Sequence, residues 1–408
     1  MTITTDSLFS VSRLKLAQCA AAAPRARRAW SRLSARLAAA AVAAWLVCMG
    51  TPAAAQTAWP AWDAFVKTQI QADGRVIDHT TSIYQSTSEG QSYALFFALV
   101  ANDRKTFDTV LKWTADNLCA GKLDAQLPAW QWGRKPDGSY GVIDANSAAD
   151  SDAWIAYTLF EAGRLWQAPQ YTTMARSVLA RIRTAETADL PGLGPMLLPG
   201  PQGFALGNGV WRLNLSYMPL PLLRRFESAD SDGPWSSIAA GTVRLAAAAS
   251  PHGFAPDWLA WRAQGGAGID PAKGDVGSYD AIRVYLWAGM TSPRDPLAKP
   301  LLAALGGMRR AVDAADAPPE RVATQTGEFA GTGPMGFSAA LVPYLSALGD
   351  DAGASAQTHR ISAMQAAASD AKQPLVYYDA VLQLFGVGWA EHRYRFDEHG
   401  RLLPGWRH

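Results

Sequence analysis

"STSEGQSYALFFALVANDRKTF", residues 86–107, sets one carboxylate, Glu89, among small and hydroxylated residues at the head of a run that is apolar on every side. A helix at the surface of a domain has an apolar stripe and a polar face. "ALFFALVA" has no polar face, so it belongs inside a layer of other helices. Around it, period-3.6 spacing predicts helices at roughly 61–72, 89–101, 105–119, 150–167, 170–184, 215–228, 234–248, 279–290, 296–313, 336–348, 356–368 and 376–387. About twelve helices with weak strand signal make a mainly α domain, with the apolar ones as an inner ring inside an outer one. Periodicity alone does not choose between a double-ring barrel and an α-solenoid. No sharp repeat of the short solenoid kind is present, which favours the closed toroid.

The connections read as loops by composition. "LPGLGPMLLPGPQGFALGNG" (190–209) and "RAQGGAGIDPAKGDVGS" (262–278) are rich in Gly and Pro, and "RKPDGSYGV" (134–142) carries a Pro-Asp-Gly turn suited to a short hairpin. No stretch after residue 56 reads as an interdomain linker, so one domain spans 56–408.

The first 55 residues read differently. Arg25, Arg27, Arg28, Arg32 and Arg36 precede the apolar "LAAAAVAAWLVCMG" (37–50) and the small-residue "TPAAAQ" (51–56). That is the layout of a secretory signal peptide with cleavage after Ala55. The apolar run is short of the about 20 residues that a spanning helix needs, so no stable membrane insertion is expected after cleavage. The leader holds seven of the 37 basic and one of the 35 acidic residues. The mature chain is therefore net acidic, about −4 with His neutral, and the sequence pI of about 8.4 is no argument for nucleic acid. Cys19 and Cys48 leave with the leader, so Cys119 remains alone, no intramolecular disulfide is possible and metal-ligand Cys pairs are absent. These features predict a periplasmic or secreted protein.

Two compositional clues point to chemistry. Fourteen of the 16 Trp follow the leader, and Trp130, Trp132, Trp211, Trp258 and Trp261 fall in loops or at element ends, where flat indoles suit the apolar faces of sugar rings. Packing under loops is the competing explanation for any single one. The second clue is a shared layout. Glu89, Asp150 in "NSAADSDAWIAYTLFEAGRLW" (146–166) and Asp280 in "GSYDAIRVYLWAGM" (277–290) each follow small polar residues and open a nearly all-apolar helix. Each alone is an acid that the helix dipole favours. Three inner helices starting at the same end of a barrel would gather these acids over one cavity. A pair of carboxyls across a sugar cleft is what glycoside hydrolysis requires, one protonated and one ionised.

These three blocks resemble the signature blocks of glycoside hydrolase family 8, the middle one through its Ala-Asp-Ser-Asp, short helix, then Ala and Trp. With "LPAWQWG", "GLGPMLLPG", "WRLNLSYMP", "GFAPDW" and "GPMGFSAALVP" in order, the likeness runs from Trp59 to Trp406 and is greatest to the endoglucanases of bacterial cellulose-synthesis systems. The resemblance implies an (α/α)6 barrel with an open cleft and inverting hydrolysis of internal β-1,4-glucosidic bonds. It implies Glu89 as general acid, Asp280 as general base, and Asp150 as the residue gripping the sugar before the scissile bond. Partial desolvation would raise the Glu89 pKa towards the working pH. Tyr93, Trp130, Trp132, Trp211, Arg212, Tyr217, Tyr279 and Arg283 complete the expected substrate-binding set. Asp152 is expected to orient the loop or cap its helix. Ala94 stands where relatives commonly carry Gly.

The implied substrate is cellulose or β-1,4-glucan oligosaccharides, the implied protein partner a cellulose synthase complex, and no cofactor or metal is expected. Another β-1,4-glycan, chitosan or xylan, is the rival substrate, and a non-catalytic glucan-binding component is the rival class. The six histidines show no ligand spacing. "TGEFAGTGPMG" (326–336) lacks the Lys-Ser/Thr of a phosphate loop. The charged, aromatic tail "EHRYRFDEHGRLLPGWRH" (391–408) is expected to pack as a strap.

Overall fold

A computed structural model describes residues 58–371 and 376–407. The expected signal peptide and its cleavage point lie outside the described residues. Gln56–His408 forms one compact unit.

Thirteen helices are present among the described residues: α1 Pro60–Gln69, α2 Ser88–Val100, α3 Arg104–Leu118, α4 Ala149–Leu165, α5 Pro169–Ala185, α6 Leu220–Ala229, α7 Trp235–Ala249, α8 Ala281–Met290, α9 Ala298–Ala304, α10 Gly307–Ala315, α11 Met335–Ala347, α12 Asp351–Asp370 and α13 Tyr377–Ala390. They alternate between two rings. The inner members are α2, α4, α6, α8, α11 and α13. In α2 every residue except Glu89 is buried, as its unbroken apolar run requires. Its sequence neighbour α3 buries only Phe107, Val110, Leu111, Trp113, Thr114 and Leu118, one stripe of an outer helix. The result is an (α/α)6 barrel.

The ring closes through aromatic packing. Phe385 of α13 meets Phe97 and Tyr93 of α2 at ring-centroid distances of 4.6 and 5.0 Å. It also meets Trp154 of α4 at 5.3 Å and Trp287 of α8 at 5.1 Å. One side chain thus touches three other inner helices, and its loss to Ala would cost about 3–5 kcal/mol. Glycines let the inner helices approach. A Cβ on Gly386 would sit 1.8 Å from the Ala339 carbonyl oxygen of α11, and one on Gly289 would sit 2.2 Å from the Tyr344 nitrogen.

Helix starts and stops follow local chemistry. Asp103 and Asp350 cap α3 and α12 through the N–H groups of Thr106 and Gly353. The segment read as one helix over 215–228 opens with a 3-10 turn, Leu215–Tyr217, and becomes α-helical only at Leu220, because Pro219 and Pro221 set the new start. The segment read as 296–313 is two helices, broken at Leu305–Gly306.

Strands are short. The expected hairpin is present as Gln131–Arg134 against Tyr140–Asp144, with Ser86–Thr87 added at its edge. The two segments read as loops contain strands as well. Thr187–Leu190 pairs with Gly194–Leu197, and Ala205–Gly207, Val210–Leu213, Leu259–Arg262 and Gly266–Ile269 form a four-stranded sheet. Strands of three or four residues rich in Gly carry too little alternation to register in the sequence. The tail packs as a strap: Tyr394–Phe396 pairs with Leu402–Pro404, the Leu402 N–H donates to Glu161 at 2.8 Å, and the Tyr157 hydroxyl donates to the Gly400 carbonyl at 2.9 Å.

Candidate active site

Three helix starts deliver three carboxyls to one guanidinium. Glu89 is the second residue of α2, directly after the strand Ser86–Thr87. Thr87 already caps this helix, its hydroxyl accepting the Gly90 N–H at 3.1 Å, so the Glu89 carboxyl is not spent on backbone. Asp150 is the second residue of α4 and is buried. Asp280 sits at the N-cap position of α8 but makes no capping bond. Asp257 supplies the cap: its Oδ1 accepts from the N–H groups of Ser278, Asp280 and Ala281 at 2.7, 3.0 and 2.8 Å. The Asp280 carboxyl is thereby free to accept from Trp258 Nε1 at 2.9 Å.

Arg283, one turn into α8 and 4% exposed, joins the set. Its Nη2 donates to Asp280 Oδ1 at 2.7 Å and to Ser216 Oγ at 3.2 Å. Its Nη1 donates to Glu89 and, at 3.2 Å, to the Tyr93 hydroxyl, and lies 3.7 Å from Asp150 Oδ2. Three acids around one cation leave an excess of negative charge in a largely dry place, and protonating one acid relieves it.

Glu89 is the acid that takes the proton. Burial pushes its pKa from 4.5 up to about 7; Asp150 and Asp280 add to the rise and Arg283 opposes it. Burial also raises Asp150, against the opposing pull of Arg283 and of the Ser151 N–H, which donates to Asp150 Oδ1 at 2.7 Å. The arrangement sets Glu89, whose carboxyl burial pushes towards the protonated form, and Asp280 on the two nitrogens of one guanidinium. An acid and a base set on either side of a bond are what general acid–base hydrolysis requires.

The model of glycosyl hydrolases family 8 matches residues 35–392. The chain belongs to this family. An endoglucanase of Xanthomonas axonopodis pv. citri is 53% identical over 349 residues, covering 86% of this chain and 90% of that one. An endoglucanase of Escherichia coli K12 is 44% identical over 348 residues, covering 85% and 91%. Among solved structures, the endo-1,4-D-glucanase of Vibrio fischeri ES114 superposes with a TM-score of 0.81 at 42% identity, covering 86% of this chain and all of that one.

In this family 8 chain the expected binding residues divide into two groups. Tyr93 and Tyr217 lie with the acids: Tyr93 bonds Arg283, and the Tyr217 hydroxyl is pushed up by burial and by the nearby Asp150 and Asp280. Trp130 is adjacent, its carbonyl accepting the Ser88 N–H at 3.0 Å beside Glu89. Tyr279 is half exposed, edge-on to Phe337 at 5.0 Å, and its carbonyl accepts the Tyr378 hydroxyl at 2.6 Å.

The second group makes structural contacts. Trp132 packs on Trp113 and Tyr140, with the Arg75 guanidinium 4.3 Å from its ring centre. Trp211 pairs across the four-stranded sheet with Trp261, whose Nε1 donates to the Pro191 carbonyl. Arg212 grips Asp270 at 2.7 and 3.0 Å, and Asp270 in turn holds the N–H groups of Ala272 and Lys273.

Sequence reasoning missed Asp257, Ser216, Phe204 and Tyr378. Phe204 stacks on Trp258 at 6.1 Å and 5° between planes, and Tyr217 meets the same indole edge-on at 6.0 Å. Asp257 stood inside a quoted block, but a cap donated from 24 residues upstream leaves no local pattern. Asp152 makes no capping bond; it turns away from Arg283 towards Glu186. Among the described residues no group of three His, Cys, Asp or Glu is placed to hold a metal ion, and no helix is long and apolar enough to cross a membrane.

Proposed function

We propose that this chain is an exported endo-β-1,4-glucanase that cuts cellulose with inversion and serves bacterial cellulose synthesis. The observation that carries the reading is the Glu89–Arg283–Asp280 arrangement: two carboxyls held apart by one guanidinium, with the pKa of Glu89 raised to about 7. Glu89 gives its proton to the glycosidic oxygen as the bond from that oxygen to C1 breaks. Asp280 takes a proton from the water that forms the new bond to C1 from the opposite face. With the proton on Glu89, its claim on Arg283 weakens, and the guanidinium remains with Asp280 and Asp150. Asp150, buried and turned towards the cation, is placed to hold a hydroxyl of the sugar being cleaved.

The named relatives support the glucan substrate. The leader pattern before Gln56 supports export to the periplasm or medium, and the likeness to cellulose-synthesis endoglucanases supports work beside a cellulose synthase complex. Proton NMR of cellopentaose hydrolysis tests the chemistry. Inversion releases the α-anomer first, and Glu89→Gln abolishes release; a β-anomer first would mean a retaining double displacement. Equal cutting of chitosan or xylan would move the substrate assignment. A binding protein without catalysis would release no new reducing ends.

A further inference from the structure

Behind Asp150 lies a second pair of acids that the chemistry above does not use. Asp152 and Glu186 are both fully buried. A two-residue step on a helix turns about 200°, so Asp152 faces away from the side on which Asp150 meets Arg283. Glu186 follows α5 and leads into the Thr187–Leu190 strand. Its Oε1 accepts the Ser147 hydroxyl. Neither oxygen of Asp152, nor Glu186 Oε2, has an N–H or hydroxyl donor. Among the described residues, three carboxyl oxygens are thus buried with only the Ser147 hydroxyl, already bonded to Glu186 Oε1, as a neighbouring side-chain donor.

The charged groups around them make this harder to sustain as two anions. Asp150 faces the pair from the same helix turn, and Cys119 faces Asp152 from the end of α3. Neither Asp152 nor Glu186 has an ion-pair partner among the described residues. Two uncompensated anions in such a place would cost several kcal/mol. A carboxyl proton lying between the two acids bonds one oxygen of each; burial and the neighbouring Glu186 raise Asp152 well above its ordinary range, and burial raises Glu186 to about 7 against the opposing bonds of Ser147 and Asp152.

We propose that Asp152 and Glu186 share one proton as a carboxyl–carboxylate pair, and that this bond positions Asp150 by fixing the first turn of α4 against the Thr187–Leu197 hairpin. The backbone around the pair shows what it clamps. Glu186 O accepts the Leu198 N–H at 2.7 Å, and Pro199 O accepts the Ala149 N–H at 3.0 Å, so the hairpin exit and the helix start are tied within one residue of each other. The Ser147–Glu186 bond adds a third tie just ahead of the helix. Asp152 and Glu186 are positioning residues; neither reaches the reacting atoms. The inference rests on Asp150 acting in the reaction proposed above.

Infrared difference spectra in the carboxylic-acid C=O region, wild type against Asp152→Asn and against Glu186→Gln at neutral pH, read the shared proton without turnover. A protonated-carboxyl band present in wild type and lost in at least one variant is expected; a wild type with no such band beyond that of Glu89, identified with Glu89→Gln, overturns the pair. The kinetic arm compares Asp152→Asn with Asp152→Ala on cellopentaose. Asn donates an amide hydrogen to Glu186 and should keep kcat within about threefold. Ala should lower kcat more than tenfold with KM changed less than threefold. Equal losses in Asn and Ala, or none in Ala, would overturn the positioning role. Should Ala fail to fold, Glu186→Gln takes its place with Asn as its comparison: retained kcat in both supports a bond that an amide can replace, and a tenfold loss in both rejects it. A shared-proton band in a chain without glucanase activity would reject the proposed function and leave the pair standing; an active enzyme without the band rejects the pair alone.

Discussion

Asp257 Oδ1 accepts the backbone N–H of Asp280 at 3.0 Å, so the helix bearing the proposed base is capped by an acid from another segment. This division of labour leaves Asp280 its whole carboxyl for Arg283 and Trp258. It also makes Asp257 a support for the start of the helix that bears the proposed base.

Asp257→Ala removes the acceptor of three N–H groups at once. It should lower stability by about 1–2 kcal/mol, the cost of a lost cap. It should also lower kcat about tenfold or more by letting the start of α8 drift. Asp257→Asn keeps an amide oxygen in the same place and should retain most of both. Urea denaturation and steady-state kinetics on one preparation check the pair of expectations. Loss of stability without loss of kcat would confine Asp257 to folding.

Arg283 touches all three acids, and a fork is what its place requires. Arg283→Lys keeps the charge but offers a single nitrogen, which cannot reach Glu89 and Asp280 in the same geometry. We expect kcat/KM to fall about 100-fold. Arg283→Met leaves the acids without their cation and should destabilise the fold by about 3–5 kcal/mol at neutral pH. The Met variant should recover part of that stability as the pH is lowered and the acids take up protons, measured as a melting temperature that rises relative to wild type.

The inner helices were legible in the sequence because burial on all sides leaves a mark in every residue of a helix, whereas closure into a barrel rested on the absence of a short repeat and on the family resemblance. "ALFFALVA" and "IRVYLWAGM" admit no polar face, and alternating inner and outer helices follow from that. The three acids were legible for the same reason: each interrupts such a run at its start. What the sequence hid depends on distant partners. Nothing near Asp280 says that Asp257 caps its helix, nor that Arg212 is occupied by Asp270. Trp132, Trp211 and Trp258 are alike as loop indoles in the sequence, and only contacts from other elements show that Trp258 bonds Asp280 while Trp132 packs on Trp113.

Glu89 should govern the alkaline side of the pH profile. As the acid it must be protonated, so kcat/KM should fall as pH rises through about 7, approaching tenfold per unit beyond it. Stability should follow the same proton. The folded pKa lies above the ordinary 4.5, so the native state binds the proton more tightly than the unfolded chain does. The stability that Glu89 contributes is complete below about 4.5 and is lost as pH rises through about 7. Glu89→Gln has no such loss and should become the more stable protein across that window, by roughly 1–2 kcal/mol at pH 8 given the quarter of the side chain that reaches solvent. Denaturation curves at pH 4 and pH 8 check this; a gap of equal size at both would assign the difference to packing.

Trp258 is expected to join binding to chemistry, and two substitutions separate the parts. Its Nε1 donates to Asp280 Oδ2 at 2.9 Å while its ring stacks beside Phe204 and near Lys273. Trp258→Phe keeps an aromatic surface and removes the N–H. If that bond orients the base, kcat should drop about tenfold with KM nearly unchanged, the pattern of an interaction that counts mainly in the transition state. Trp258→Ala removes the surface too, and should weaken cellopentaose binding by a further ~1–3 kcal/mol, by loose analogy with the stacking of bases on aromatic side chains. Binding is best measured by titration calorimetry in the Glu89→Gln background, where substrate is not consumed. The loss should be larger for cellopentaose than for cellobiose, because a platform beside the base holds a sugar beyond the bond being cut. Equal losses for both oligosaccharides would place Trp258 under the reacting sugar alone, and an Ala variant that binds normally would return the indole to a packing role.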